Sequence, residues 1–201
     1  MSLKDHYPTR MQAISGEVAR LKREQHPLCF LGDSITESNH IKALGRFHVV
    51  NMGISGDMLE NPDGGLINRL WLLPMAMPAF VLVLIGVNDI VYGHRQTSDF
   101  HHLYDRMLGM AIDQAKCAPV ACCMLLPVRD HFQEHRKHIA MANVVIEELG
   151  EAHGIKVIDT YAPFMNDGGE MRSDLTTDGL HLNDDGYRVL NGILEAELAG
   201  A

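Results

Sequence analysis

The chain is short of positive charge, of long apolar runs and of pairable cysteines, and each shortage excludes a class of protein. Over 201 residues the net charge is -9, with 17 Lys and Arg against 26 Asp and Glu. A phosphate backbone is met by a basic face, so nucleic acid is not expected as a partner. The longest apolar stretch, residues 78–86, falls far below the roughly 20 residues that cross a bilayer, and no stable membrane association is expected. The first 25 residues carry Lys4, Asp5, Arg10, Glu17, Arg20, Lys22, Arg23 and Glu24. Charge spread so evenly leaves no apolar core for a secretion signal, and a cytoplasmic location is expected. Cys29, Cys122 and Cys123 stand inside apolar runs, and Cys117 stands just before one. That spacing suits neither a disulfide framework nor a zinc knuckle and reads as buried thiols in a reducing compartment. Linkers, repeats and low-complexity segments are also missing. One domain over residues 1–201 is expected, long enough to bury a sizeable core.

What is present alternates. Five apolar, β-rich runs occupy residues 27–31, 47–52, 79–85, 120–126 and 155–158. Residues 79–85 are apolar throughout, the pattern of a central parallel strand covered on both faces. Helical spacing falls between the runs, from about residue 6 to 24, then at 66–72, 98–116, 132–153 and 184–198. Leu103, Met107, Met110 and Ala111 form one stripe, and Ile139, Ala142, Asn143 and Ile146 another. Gly154 suits a helix C-terminus, and Asn183 or Asp184 can cap the last helix. Strands alternating with helices predict an α/β fold: a three-layer α/β/α sandwich on a five-stranded parallel sheet.

Four motifs follow the strands in order: Gly32-Asp33-Ser34, Asn51-Met52-Gly53, Gly86-Val87-Asn88-Asp89 and Asp178-Gly179-Leu180-His181. In an open parallel sheet ligands bind beyond the carboxyl ends of the strands, and all four motifs fall on that edge. Alone, Gly-Asp-Ser is a common turn tripeptide, and the second and third motifs are strand exits. Together they hold the inventory of acyl transfer. Ser34 supplies a hydroxyl that needs a base, and His181 is the base. Asp178 accepts from the other ring nitrogen, fixing the tautomer and stabilising the imidazolium. The amides of Ser34 and Gly53 and the side-chain NH2 of Asn88 are the expected oxyanion donors. Gly53 has no side chain to keep a substrate away. Asp33 and Asp89 each neighbour a catalytic candidate and stand as rivals to Asp178 for the acid, or else brace their loops, and Asn51 reads as a brace ahead of Gly53.

The combination resembles the SGNH hydrolases, the Gly-Asp-Ser-Leu type of esterases and lipases, whose four blocks fall here on Ser34, Gly53, Asn88 and His181. The resemblance implies a flavodoxin-like strand order, Asp178 as the triad acid, and no cofactor or metal. The chain order Ser, Asp, His matches the α/β-hydrolases, but their Gly-x-Ser-x-Gly elbow is absent. The expected activity is hydrolysis of short-chain carboxylic esters, acetyl esters of carbohydrates among them, through a Ser34 acyl-enzyme. Thioester or lysophospholipid hydrolysis and acyl transfer with the same triad stay open, as does homo-oligomerisation. A flavodoxin-shaped binding module is disfavoured, because no glycine-rich phosphate loop follows the first strand.

Twelve histidines invite a metal. His131 and His135 stand four apart, as do Glu134 and His138, which is ligand spacing on a helix. Solvated surface histidines are the better reading, shared by His94, His101, His102 and His153. Two segments bear on specificity. The loop of residues 57–65 looks extended relative to the compact form of the resembled family, and Met58 within it is a candidate acyl-pocket residue. Residues 127–131 leave the fourth strand on the active edge and are candidates for leaving-group contact.

Overall fold

In the computed structural model, which describes residues 3–22, 24–62 and 64–199 without the side chains of Leu3 and Lys4, the apolar runs pair into one sheet. Arg23 and Asp63, counted above, lie outside the described residues. β1 (Leu28–Gly32) and β4 (Phe80–Leu84) are buried at every position. Successive strand residues point to opposite faces, so burial at every position requires cover on both. β1 pairs in parallel with β3 (Phe47–Gly53) on one side and β4 on the other. β5 (Val120–Cys123) and β6 (Lys156–Ile158) continue the sheet in parallel. The order β3-β1-β4-β5-β6 is the flavodoxin-like arrangement expected above.

A sixth strand departs from the expected five. β2 (Ala43–Leu44) is antiparallel and closes the β3 edge through a turn at Gly45, where φ is +55°. Two residues are too few to show periodicity, so the sequence carries no signal for it.

The helices match the apolar stripes. α1 is Leu3–Arg20 and α5 is Thr97–Ala115. α6 (Arg136–His153) is preceded by a 3-10 turn, Asp130–His135, and ends on Gly154 with φ of +64°. α7 is Asp184–Leu198, and Asn183 caps it by accepting from the Gly186 amide. Residues 66–72 form a 3-10 turn rather than an α-helix, running into α3 (Leu73–Ala76). Two further short helices carry candidate site residues: α2 (Ser34–Glu37) after β1 and α4 (Val87–Val91) after β4.

β5 stops at Cys123, shorter than the apolar run, and the buried Asn143 of α6 explains how the chain tolerates this. Its side chain accepts from the Leu125 amide at 2.7 Å and donates to the Leu125 carbonyl at 3.0 Å. Those backbone groups would otherwise be buried unpaired. The core runs through both faces, and each fully buried Leu, Ile or Phe such as Phe30 or Leu82 contributes about 1.5–3 kcal/mol.

Register sets the site. Gly32 pairs with Gly53 across β1–β3 and with Leu84 across β1–β4. Three strands therefore end at one level, and three of the four motifs leave the sheet side by side.

Candidate active site

Asp33 starts the turn that carries Ser34. Its Oδ1 accepts from the Ile35 amide at 3.0 Å, capping α2, so the Ser34 amide is a first-turn donor with no partner inside the helix. The turn sits tight on the sheet, which is why glycines flank it. A Cβ on Gly32 would stand 2.4 Å from the Leu84 carbonyl oxygen and 2.0 Å from Thr36 Oγ1.

The fourth motif is held as a closed loop. Thr176 pairs with Leu182, the Thr177 amide donates to the His181 carbonyl at 3.0 Å, and the Thr176 hydroxyl donates to the same carbonyl at 2.7 Å. Gly179 turns with φ of +93°, and a Cβ there would meet the Arg129 carbonyl oxygen at 2.7 Å. The Arg129 amide donates to the Gly179 carbonyl at 3.0 Å, so Arg129 braces the loop of residues 178–181.

The two halves meet. Ser34 Oγ lies 3.0 Å from His181 Nε2, and His181 Nδ1 lies 2.7 Å from Asp178 Oδ2. Asp178 Oδ1 separately accepts from the amides of Leu180 at 2.9 Å and His181 at 2.8 Å. Partial burial pushes the Asp178 carboxyl upward, but the bonds from the His181 ring and these two amides outweigh it and hold the group below the ordinary carboxylate value. The carboxylate is ionised at neutral pH and orients the imidazole. The side chains of His181 and Asp178 are 39% and 48% exposed, so this pair lies open at the surface. α7 ties this loop to α2. The Tyr187 hydroxyl donates to the Ile35 carbonyl at 2.9 Å, and the side-chain amides of Asn39 and Asn191 pair at 2.7 Å.

The predicted donors divide. Asn88 is buried, and one hydrogen of its amide goes to the Asp57 carbonyl at 2.8 Å, leaving the second free. Gly53 departs from the expectation. Its amide donates to Asn51 Oδ1 at 3.0 Å, and a Cβ there would meet Glu37 N at 2.2 Å and Asp33 O at 2.8 Å. Gly53 is a packing glycine beneath α2, and its N–H is already committed. Asn51 is the brace expected of it, donating to the carbonyls of Thr36 at 2.6 Å and Asn39 at 2.8 Å.

Asp33 and Asp89 also brace loops. Asp89 accepts from the Leu59 amide at 2.9 Å and from Arg95 Nε at 2.7 Å, while Arg95 also reaches the Glu60 carbonyl. The loop after β3 is thereby bolted to α4. Burial pushes the Asp89 carboxyl up to about 6, against bonds from Leu59 and Arg95. Burial likewise pushes Asp33 up to about 7, opposed by the Ile35 amide and Arg69 and reinforced by Asp57 and Asp89.

Sequence reasoning missed four contributors. Arg10 of α1 donates to the Gly53 carbonyl at 2.9 Å and the Asn51 carbonyl at 2.8 Å. Glu37 accepts from the Ser55 amide and hydroxyl at 2.6 and 2.7 Å. Tyr187 and the fully buried Arg69 complete the group. The histidines find other uses, His135 stacking on His94 at 6.1 Å and His153 bonding Asp105 at 2.7 Å.

The sequence profile of the GDSL-like lipase/acylhydrolase family matches residues 30–189. No curated protein matches the chain. Among solved structures, a GDSL-like lipase from Bacteroides thetaiotaomicron is similar with a TM-score of 0.78 at 19% identity, over 98% of each chain. A lipase/acylhydrolase from Enterococcus faecalis is similar with a TM-score of 0.67 at 23% identity, over 87% of this chain and 96% of that one. An acetyl xylan esterase gives a TM-score of 0.68 at 21% identity, over 86% and 99%. At these identities the structural likeness is one of fold.

Proposed function

The chain belongs to the GDSL-like lipase/acylhydrolase family and is a carboxylic ester hydrolase, and from that premise we propose that it cleaves short-chain esters, acetyl esters first, through a Ser34 acyl-enzyme. The observation that carries the reading is the continuous chain from Ser34 Oγ through His181 to Asp178, at 3.0 and 2.7 Å. Among the structures similar in fold is an acetyl xylan esterase, which adds acetylated carbohydrate to the candidate substrates.

His181, neutral at Nε2, takes the Ser34 proton as Oγ attacks the ester carbonyl. Asp178 stabilises the imidazolium that forms. The tetrahedral intermediate collapses as His181 gives the proton to the leaving alkoxide, freeing the alcohol. Water then attacks the acyl-enzyme, His181 takes its proton, and collapse returns the proton to Ser34 Oγ and releases the acid. The developing oxyanion is met by the Ser34 amide and the free hydrogen of Asn88. With the Gly53 amide committed to Asn51, we assign the third donor to Gly56. It is next to Asp57, whose carbonyl orients Asn88, it turns with φ of +77°, and its amide donates to no partner among the described residues. Each such donor is worth about 10²–10³ in turnover.

No helix among the described residues is long and apolar enough to cross a membrane. All four cysteines are free, three of them buried, which supports the cytoplasmic placement.

The test is hydrolysis of p-nitrophenyl esters from acetyl to decanoyl by wild type and Ser34→Ala. Turnover highest on acetyl or butyryl and lost in the variant is expected. Preference for long chains would overturn the short-acyl reading, and activity surviving in Ser34→Ala would overturn the serine mechanism.

A further inference from the structure

Arg69 is a full guanidinium buried beneath the site, 1% exposed. Its Nε and Nη2 reach Asp57 Oδ2 at 2.9 and 2.8 Å, its Nη2 donates to the Gly32 carbonyl at 2.8 Å, and its Nη1 to the Met52 carbonyl at 2.5 Å. Gly32 ends β1, just ahead of Asp33-Ser34. Met52 stands at the end of β3, just ahead of the loop that carries Gly56 and Asp57. The carbonyl of Asp57 holds the Asn88 amide at 2.8 Å. One side chain therefore joins two segments directly, those that carry Ser34 and Gly56, and reaches the third, that of Asn88, through Asp57.

Stability alone does not account for this residue. Taking a guanidinium and a carboxylate out of water costs several kcal/mol for each ion, and well-packed apolar side chains of similar volume are often as stable or more so. What the ion pair adds is direction: a planar fork of fixed donors that a flexible or apolar side chain does not reproduce. We propose that Arg69 is a positioning residue for the esterase reaction, setting the oxyanion donors through the relay Arg69–Asp57–Asn88. The inference rests on the esterase reading above. Arg69 touches no substrate. It fixes the height of the Asp57 carbonyl, which fixes the free hydrogen of Asn88. A misplacement of about 1 Å in such a group can cost about 10²-fold in rate.

Three variants and one combination of them test it, with p-nitrophenyl acetate as the probe. Arg69→Met with Asp57→Asn removes both charges, so no unpaired ion stays buried. Arg69→Lys keeps the charge and loses the fork. Asn88→Ala removes the end of the relay. The proposal predicts that both Arg69 variants fold, with kcat down about 10²-fold and KM within about threefold, because the loss falls on the transition state alone. It also predicts that adding Asn88→Ala to the Arg69→Met, Asp57→Asn pair costs less than tenfold beyond Asn88→Ala by itself, since coupled residues are not additive. Folded Arg69 variants with wild-type kcat would overturn the relay, and so would losses that multiply in full with Asn88→Ala. If neither Arg69 variant folds, Arg69 is a stability residue and the proposal fails. A wild-type chain without esterase activity would overturn the preceding reading and this one together, whereas an active wild type beside fully active Arg69 variants overturns this one alone.

Discussion

Replacing Asp178 by Asn tests the geometry of the triad without changing its shape. Asp178 Oδ1 accepts two backbone amides, at 2.9 and 2.8 Å, and Oδ2 faces His181 Nδ1 at 2.7 Å. Those two amides decide how an asparagine must sit. Its carbonyl oxygen stays on them, because the reverse would set its NH2 against two N–H donors and leave both unpaired. The NH2 then points at His181 Nδ1 and donates to it. Nδ1 becomes an acceptor, the ring proton moves to Nε2, and Nε2 faces Ser34 Oγ as a donor instead of a base. Where a triad carboxylate is buried, this wrong tautomer costs about 10⁴ in turnover. Here the carboxylate side chain is 48% exposed, so water shares its work and we expect kcat/KM to fall about 10³-fold, or about 4 kcal/mol of barrier. Thermal stability should stay near wild type, because the backbone bonds survive. Steady-state kinetics on p-nitrophenyl acetate with parallel thermal melts is the assay. Activity within tenfold of wild type would refute the tautomer argument.

Gly53→Ala retains the backbone amide but sets a Cβ 2.2 Å from Glu37 N; we expect α2 to be displaced, at about 1–3 kcal/mol, with Tm and kcat both lower, and wild-type values in both would contradict the packing role. Asp33→Asn should change how stability depends on pH. Asp33 is pushed up from 3.8 to about 7, so between those values the folded chain holds more protons than the unfolded one. Its stability is full below the lower value and is lost as pH rises through the upper. Asparagine mimics the protonated form, so chemical denaturation should show the variant gaining on wild type from pH 4 to pH 8, by about 4 kcal/mol at most. Parallel curves across that range would contradict the buried, raised carboxyl.

Much of the fold was legible because burial on both faces writes itself as unbroken apolar runs, as in residues 79–85, and because helix stripes such as Leu103, Met107 and Ala111 keep their period. The candidate site was legible in part because the Ser34, Gly53 and Asn88 motifs each follow a strand end, and Gly32, Gly53 and Leu84 share one level. The short elements were not: β2, α2 and α4 have two, four and five residues, held by Asp33, Asn51 and the strand ends rather than by local propensity. The donor assignment slipped at Gly53 because two glycines stand three apart in Asn51-Met52-Gly53-Ile54-Ser55-Gly56, and only the Asn51 bond tells which one is committed. Arg69 belongs to none of the four motifs. Its signal was positional, since Leu66, Arg69, Leu70 and Leu73 fall at i, i+3, i+4 and i+7 on one apolar stripe. A charge on such a stripe calls for a buried partner, and Asp57 is that partner.

The central claim is a covalent acyl intermediate on Ser34. Rapid mixing with p-nitrophenyl acetate, followed by an acid quench and peptide mass analysis, observes it directly. The account predicts a burst of p-nitrophenol no larger than the enzyme concentration, with one acetyl group on the peptide carrying Ser34. Hydrolysis that proceeds with that peptide unmodified, or with the acetyl group on another residue, would contradict it.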